Sequence, residues 1–359
     1  MGSYNKTKYF LGANTPSGFV SFYENLIDLK KSKHLYIIKG GPGTGKSTLM
    51  RNLAFYSEGK GYEVEYVFCS GDPDSLDAIV IPELKVAVVD GTSPHMIDPK
   101  YPGAVDSIVD LSVCWDREKL SSRRSEIEEL TGAYKGFYDV AYRYLTAAAK
   151  VENDMYAAVV SGVDFDKIND YCHKLLKKNA IKNKNRQGKV IKRVATTPTY
   201  KGMYSFKDAI IGQYSNKIII EDFCSVAGIV MSTLMDIALS IGVDIETYYN
   251  GMNYKNGPEL LVFKDYDLCV AVSSEYAPLN IEGLRMVRCR RFIDSDIIKS
   301  QKQRIKADKK IVFSLMAQAQ GALISAKILH DELEEIYKSA MDFNKSEEIR
   351  DRIKNELFG

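Results

Sequence analysis

The sequence predicts an α/β protein of two tandem domains, each a wound, mostly parallel sheet with a helical arm, over residues 1–195 and 200–359. Three observations predict it. A β-branched strand, a Gly-rich loop and a helix-compatible run follow one another at 35–60. A second stretch, "IIIEDFCSVAGIVMSTLM" at 218–235, keeps that frame. Two runs poor in Gly and Pro, 117–160 and 295–357, show apolar positions at helical spacing.

The first strand, Leu35–Ile38, leads into "GGPGTGKS", which fits the phosphate-loop pattern G-x-x-x-x-G-K-[ST]. Glycines let the backbone curl until its N–H groups face a phosphate, and a following helix adds the partial positive charge of its N-terminus. Gly40, Gly41, Pro42, Gly43, Thr44, Gly45, Lys46, Ser47 and Thr48 are therefore the expected nucleotide-binding residues. Lys46 reaches the β- and γ-phosphates and Ser47 ligates Mg²⁺ in this pattern. A second apolar strand, Val86–Val89, ends in Asp90, the expected acidic partner of the metal. The strand at 62–70 lies between them, joined to the second by a link. Gly91 follows Asp90 where many hydrolytic relatives of this pattern carry Glu, so the base lies elsewhere or the layout is that of a kinase.

Ligands of wound sheets bind at strand C-termini. Two clusters sit there: Asp72, Asp74 and Asp77 after the 62–70 strand, and Thr92, His95 and Asp98 after Asp90. The first also reads as a turn with a helix cap. His95 is a general base, a nucleotide contact or a hydrogen-bonded turn residue. With Lys46 and Asp90 it completes the expected catalytic set.

The halves match in order. "KSTLM" at 46–50 faces "MSTLM" at 231–235, "LKVAVVDGTSPH" at 84–95 faces "LCVAVSSEYAPL" at 268–279, and "VDFDK" at 163–167 faces "MDFNK" at 341–345. This predicts a tandem duplication with a period of about 180 residues. In that alignment Lys46 becomes Met231, Gly45 becomes Val230, Gly40 becomes Ser225, Asp90 becomes Ser274 and His95 becomes Leu279. The second half is then a degenerate domain that keeps the fold without nucleotide turnover.

The helical arms cover about 117–180 and 295–357, and pack within the chain or on a partner. Residues 174–193 hold nine Lys and Arg and no acid, a solvated linker or a surface for nucleic acid phosphates. Arg285, Arg288, Arg290 and Arg291 follow the third strand of the second half and offer a candidate arginine finger.

Composition excludes little. Hydrophobic residues make 45% and charged residues 27%, and the net charge of +2 favours no particular partner. No continuous apolar run reaches the ~18 residues of a membrane span. The N-terminal stretch lacks an apolar signal core, and Lys6 stands where myristoylation requires Ser or Thr, so a cytoplasmic protein without membrane partners is expected. Six scattered cysteines without a C-x-x-C pair read as reduced thiols.

The loop, with "FLGANTPSGFVSFYENL" ahead of it and "DPDSLDAIVIPEL" and "DGTSPHMIDPKYPGAVDSIVDL" after it, resembles the P-loop NTPase superfamily, and within it a bacterial family of two-half P-loop ATPase-like proteins. The resemblance implies two P-loop NTPase-like domains, ATP and Mg²⁺ as ligands, and a Gly-rich loop in each half. This sequence departs from that at 225–232, so one ATP site is expected. An Mg-dependent ATPase is the expected activity, ahead of a small-molecule or nucleotide kinase and an ATP-dependent binding switch. The acceptor or protein partner is not legible.

Overall fold

The computed structural model describes residues 6–94, 96–279 and 286–359. The first half of the chain forms β1 (Lys8–Phe10), β2 (Gly12–Thr15), β3 (Gly18–Ser21), β4 (His34–Lys39), α1 (Lys46–Gly59), β5 (Glu65–Phe68), β6 (Leu76–Ile81), β7 (Val86–Asp90), β8 (Asp106–Asp110), α2 (Arg117–Ser122), α3 (Arg124–Val160) and α4 (Phe165–Lys178). The second forms β9 (Val190–Thr199), β10 (Gly202–Ser205), α5 (Lys207–Ile211), β11 (Asn216–Glu221), α6 (Val226–Ser240), β12 (Ile245–Asn250), β13 (Leu260–Phe263), β14 (Leu268–Ser273), β15 (Met286–Arg288), α7 (Ser295–Ser339) and α8 (Phe343–Phe358). The fold is α/β.

Two compact units divide the chain. Unit 1 holds the residues up to Gly12 with 21–140 and 321–359, and unit 2 holds 13–20 and 141–320. The division thus falls inside the two longest helices, α3 and α7.

In unit 1 the strands run β1-β5-β6-β7-β4-β8. The loop-bearing strand β4 lies between β7 and β8 and is parallel to both. β6 is antiparallel to its neighbours β5 and β7. The expected link between the second and third strands is therefore itself a strand, and the sheet is mixed. All six residues of β6 are buried, as its β-branched run Ile79-Val80-Ile81 favours. The core beneath combines Ile38, Val88 and Ile79 with Leu49, Met50 and Leu53 of α1 and Ile353 of α8.

In unit 2 the order is β9-β12-β13-β14-β11-β15. β11 is parallel to β14 and β15, and β13 is antiparallel to β12 and β14. The strand order and directions coincide with those of unit 1. Val226, Val230, Met231 and Leu234 of α6 enter its core with Ile220, Val270 and Phe263.

The two helix starts correct the sequence alignment. α1 begins at Lys46 after Gly45, whose φ is 81°. α6 begins at Val226 after Ser225, whose φ is 64°. By position in the fold Ser225 answers to Gly45 and Val226 to Lys46. The "STLM" at 232–235 instead lies well inside α6. Register corrects a second pairing: Ile38 faces Asp90 in β4–β7 and Ile220 faces Val272 in β11–β14, so Val272, not Ser274, holds the place of Asp90.

Each unit joins the residues just before one arm to the junction between the helices of the other. In unit 1 the Asp116 N–H donates to the Ala340 carbonyl and the Asp342 N–H to that of Cys114, both at 2.8 Å. In unit 2 the Asp164 N–H donates to Phe292 at 2.8 Å and Asp294 to Gly162 at 2.9 Å. Asp116, Asp164 and Asp342 also cap α2, α4 and α8 through their carboxylates.

Among the described residues one helix, α7, is by length and composition long and apolar enough to cross a membrane. Its most apolar 18-residue window has a mean hydropathy of 1.4 and is 28% buried. Uncharged polar residues such as Gln318 and Gln320 interrupt its apolar run without lowering the mean far. Core helices reach the same length and hydropathy. All six cysteines are free, five of them buried.

Candidate functional site

Gly40 to Gly45 form the loop between β4 and α1, and Lys46, Ser47 and Thr48 form the first residues of α1. Two glycines carry backbone that L side chains rarely adopt: Gly43 at φ 66° and Gly45 at φ 81°. A Cβ on Gly43 would also stand 2.6 Å from the Glu334 carbonyl oxygen. Thr44 is buried and donates through Oγ1 to the Gly41 carbonyl at 2.9 Å, which closes the loop.

The Lys46 ammonium folds back over this loop. It donates to the Gly40 carbonyl at 3.0 Å and the Gly41 carbonyl at 2.7 Å, and lies 3.6 Å from Asp90 Oδ2. Asp90 ends β7 and is 8% exposed. Its Oδ1 accepts the Thr92 N–H at 2.9 Å and hydroxyl at 2.6 Å, leaving Oδ2 turned to Lys46. Ser47 Oγ accepts the Leu76 N–H at 2.9 Å and keeps a lone pair and a proton for other partners. The sheet order makes this meeting: β4 and β7 are adjacent, so their C-terminal ends set loop and acid side by side. His95 lies outside the described residues.

The acidic cluster after β5 separates into different roles. Asp77 is buried and accepts the Tyr23 hydroxyl at 2.7 Å, a core contact. Asp72 accepts the Asp74 N–H at 3.1 Å and pairs with Lys327 of α7 at 3.5 Å. Arg51 donates to the Asp74 carbonyl. Asp98 pairs with Lys39 at 3.3 Å. Lys39 itself was not singled out by sequence, yet it donates to the Gly91 carbonyl at 2.7 Å and the Ile97 carbonyl at 2.9 Å. It thereby shapes the segment that follows Asp90.

The sequence predicts the helix of α7 but not its approach to the first loop. Tyr337 and Trp115 close on Gly41, and Lys338 and the Glu334 carbonyl on Gly43. No local signal marks these α7 residues, because their partners lie about 300 positions away along the chain.

Unit 2 has a different loop. Four residues, 222–225, separate β11 from α6. Asp222 accepts the Ser225 N–H at 3.1 Å and the Ala227 N–H at 2.9 Å, which places a carboxylate on the helix N-terminus. Burial pushes its pKa up, and these N–H groups together with Phe223 and Lys309 act against that. Gly228 is packed on the Asn256 carbonyl. The arginines stay with unit 2: Arg288 donates to Glu221 at 3.2 Å, Arg290 lies 4.2 Å over the Phe223 ring and Arg291 5.8 Å over Tyr171. Arg285 lies outside the described residues. The basic run is partly spent on the fold, with Arg186 on Asp244, Lys184 on Asp265 and buried Arg193 on Glu246.

Residues 20–92 match the family model described as Novel STAND NTPase 3. That similarity is to an NTPase family, consistent with the P-loop superfamily, and spans β4, the loop, α1 and β7. No curated protein and no solved structure matches the chain.

Proposed function

We propose that the chain binds Mg-ATP at the loop of unit 1 and hydrolyses it there, while the second half, a degenerate copy, keeps the fold without nucleotide turnover. The observation that carries this reading is the Lys46 ammonium, held between the Gly40 and Gly41 carbonyls and Asp90 at the start of α1. A cation poised over free helix N–H groups is the chemistry a polyphosphate requires. The match of residues 20–92 to an NTPase family supports it.

The residues present fit the ligand. Gly43 and Gly45 allow the curl, Lys46 supplies charge to the β- and γ-phosphates, and the Ser47 hydroxyl and Asp90 Oδ2 offer oxygens of the type Mg²⁺ takes. Bound Mg²⁺ supplies charge neutralisation between the phosphates. Thr92 fixes Asp90 so that one oxygen stays available. Thr48 is exposed and takes part through its backbone in the first turn of α1.

Coincident strand order in the two units supports duplication. The Asp222 carboxylate supports loss of the second site, because it sits where a phosphate would bind and repels one. Phosphoryl transfer to an acceptor hydroxyl is the second reading, carried by Gly91 in the place of a catalytic Glu. The test is ADP release from Mg-ATP by the purified chain and by Lys46→Ala. A rate that disappears in the variant supports hydrolysis. Lys46-dependent binding without turnover in water alone supports the acceptor reading, and a rate unchanged in the variant refutes both.

A further inference from the structure

No carboxylate follows Asp90 to take a proton from water, but α7 brings polar side chains to the loop from far along the chain. Its residues 321–339 belong to unit 1. Lys327, His330, Glu334 and Tyr337 are spaced three or four apart, so they share one helix face. That face is turned to the loop. Lys327 lies 3.5 Å from Asp72 Oδ2 and 2.5 Å from Asp331 Oδ1. The Glu334 carbonyl packs on Gly43 and the Tyr337 ring on Gly41. His330 stands between these ends. Its ring meets Tyr134 of α3 edge-on at 5.4 Å, its Nδ1 is 3.6 Å from Glu334 Oε1, and it senses the charge of Lys46.

We propose that His330, oriented through Nδ1 by Glu334, is the base that accepts the proton of the water attacking the γ-phosphate at the Lys46 site. The water oxygen forms a bond to the γ-phosphorus. The bond to the bridging β-phosphate oxygen breaks, and ADP leaves with that electron pair. The proton passes to Nε2 and then to solvent. Glu334 acts as a positioning residue. The inference rests on the hydrolytic reading above.

The groups facing His330 are Glu334, Asp331 and Lys327 on its own helix, Lys46 of α1 and Tyr134 of α3, with Asp72 beyond Lys327. Burial holds the imidazole below its ordinary value, opposed by Glu334 and Asp331 and reinforced by Lys327 and Lys46. A neutral ring leaves the Nε2 lone pair free to take a proton.

The test uses the full chain and its His330→Asn, His330→Ala and Glu334→Gln variants. The chain has four histidines, so the His330 imidazole signal is assigned by the spectrum of His330→Asn. The expected results are a shift of that signal with a non-hydrolysable Mg-ATP analogue but not with ADP, and analogue binding by both His330 variants within about threefold of wild type. Turnover falls about 10²- to 10³-fold in both variants, as loss of a general base does, and the acid limb of the pH profile disappears. Glu334→Gln costs about tenfold and moves that limb. Turnover of either folded His330 variant within about threefold of wild type would overturn the proposal. So would an analogue that leaves the His330 signal in place, or a wild type that binds and never hydrolyses. Failure of the wild type to bind the analogue, or equal binding by Lys46→Ala, would refute the nucleotide site itself and the inference with it.

Discussion

The Asp222 carboxylate accepts the Ala227 N–H at 2.9 Å, so α6 begins on an anion that the chain itself supplies. The start of α1 has no acidic residue in its first turn and no side-chain cap, and its Lys46 is turned back onto the loop. The two helices hold equivalent places in their sheets and differ in which charge they leave for a ligand. Replacing Asp222 with Ala removes the cap and is expected to cost about 1–2 kcal/mol. Denaturant unfolding measures that loss. Nucleotide titration of the same variant is expected to show no second site, because Val226 still stands in the place of Lys46.

Gly43 is the most constrained glycine of the first loop. Its φ of 66° opposes a side chain, and so does the Glu334 carbonyl oxygen, which would lie 2.6 Å from any Cβ added there. Gly43→Ala is expected to destabilise the chain by about 1–3 kcal/mol and to weaken ATP binding at least about tenfold, since the loop must open to relieve the contact. Thermal melts and fluorescent nucleotide titration separate the two effects.

Arg193 and Glu246 form a buried pair in unit 2, 3.4 Å apart and each under 8% exposed at the side chain. Lys264 and the Tyr248 hydroxyl also contact the carboxylate. Burial raises the Glu246 pKa, but Arg193, Lys264 and the Tyr248 hydroxyl together more than offset this and hold it below its ordinary value. Arg193→Ala leaves that charge buried with one cation fewer, and is expected to cost about 3–5 kcal/mol in chemical denaturation.

Glu152 of α3 gives unit 2 a pH dependence. It is 5% exposed, and burial, with Asp222 nearby, pushes its pKa up to about 8. The folded state therefore holds its proton more tightly than the unfolded chain. Its contribution is fully present below the ordinary carboxylate value and is lost as pH rises towards 8. Glu152→Gln is expected to flatten stability between pH 5 and 8 and to be about 4 kcal/mol more stable than wild type at pH 8. An unchanged pH slope in the variant would remove Glu152 from the account.

Legibility in the sequence followed the range of the interactions. The first loop was plain, because glycine backbone and the Lys-Ser pair act within a dozen residues. β7 and Asp90 were plain for the same reason. β6 was missed because Asp77 interrupts its apolar run, and only the fold shows that carboxylate satisfied by Tyr23. The shared Ser-Thr-Leu-Met misled the alignment: such a run extends a helix wherever it falls, whereas the start is set by Ser225 and Asp222. The α7 face was illegible, since nothing near residues 327–337 names a loop almost 300 positions earlier.

The most direct test of the central claim is calorimetric titration of the full chain with Mg²⁺ and a non-hydrolysable ATP analogue, beside Lys46→Ala. The account predicts one site per chain, lost in the variant. Two sites per chain, or a single site that survives Lys46→Ala, would contradict it.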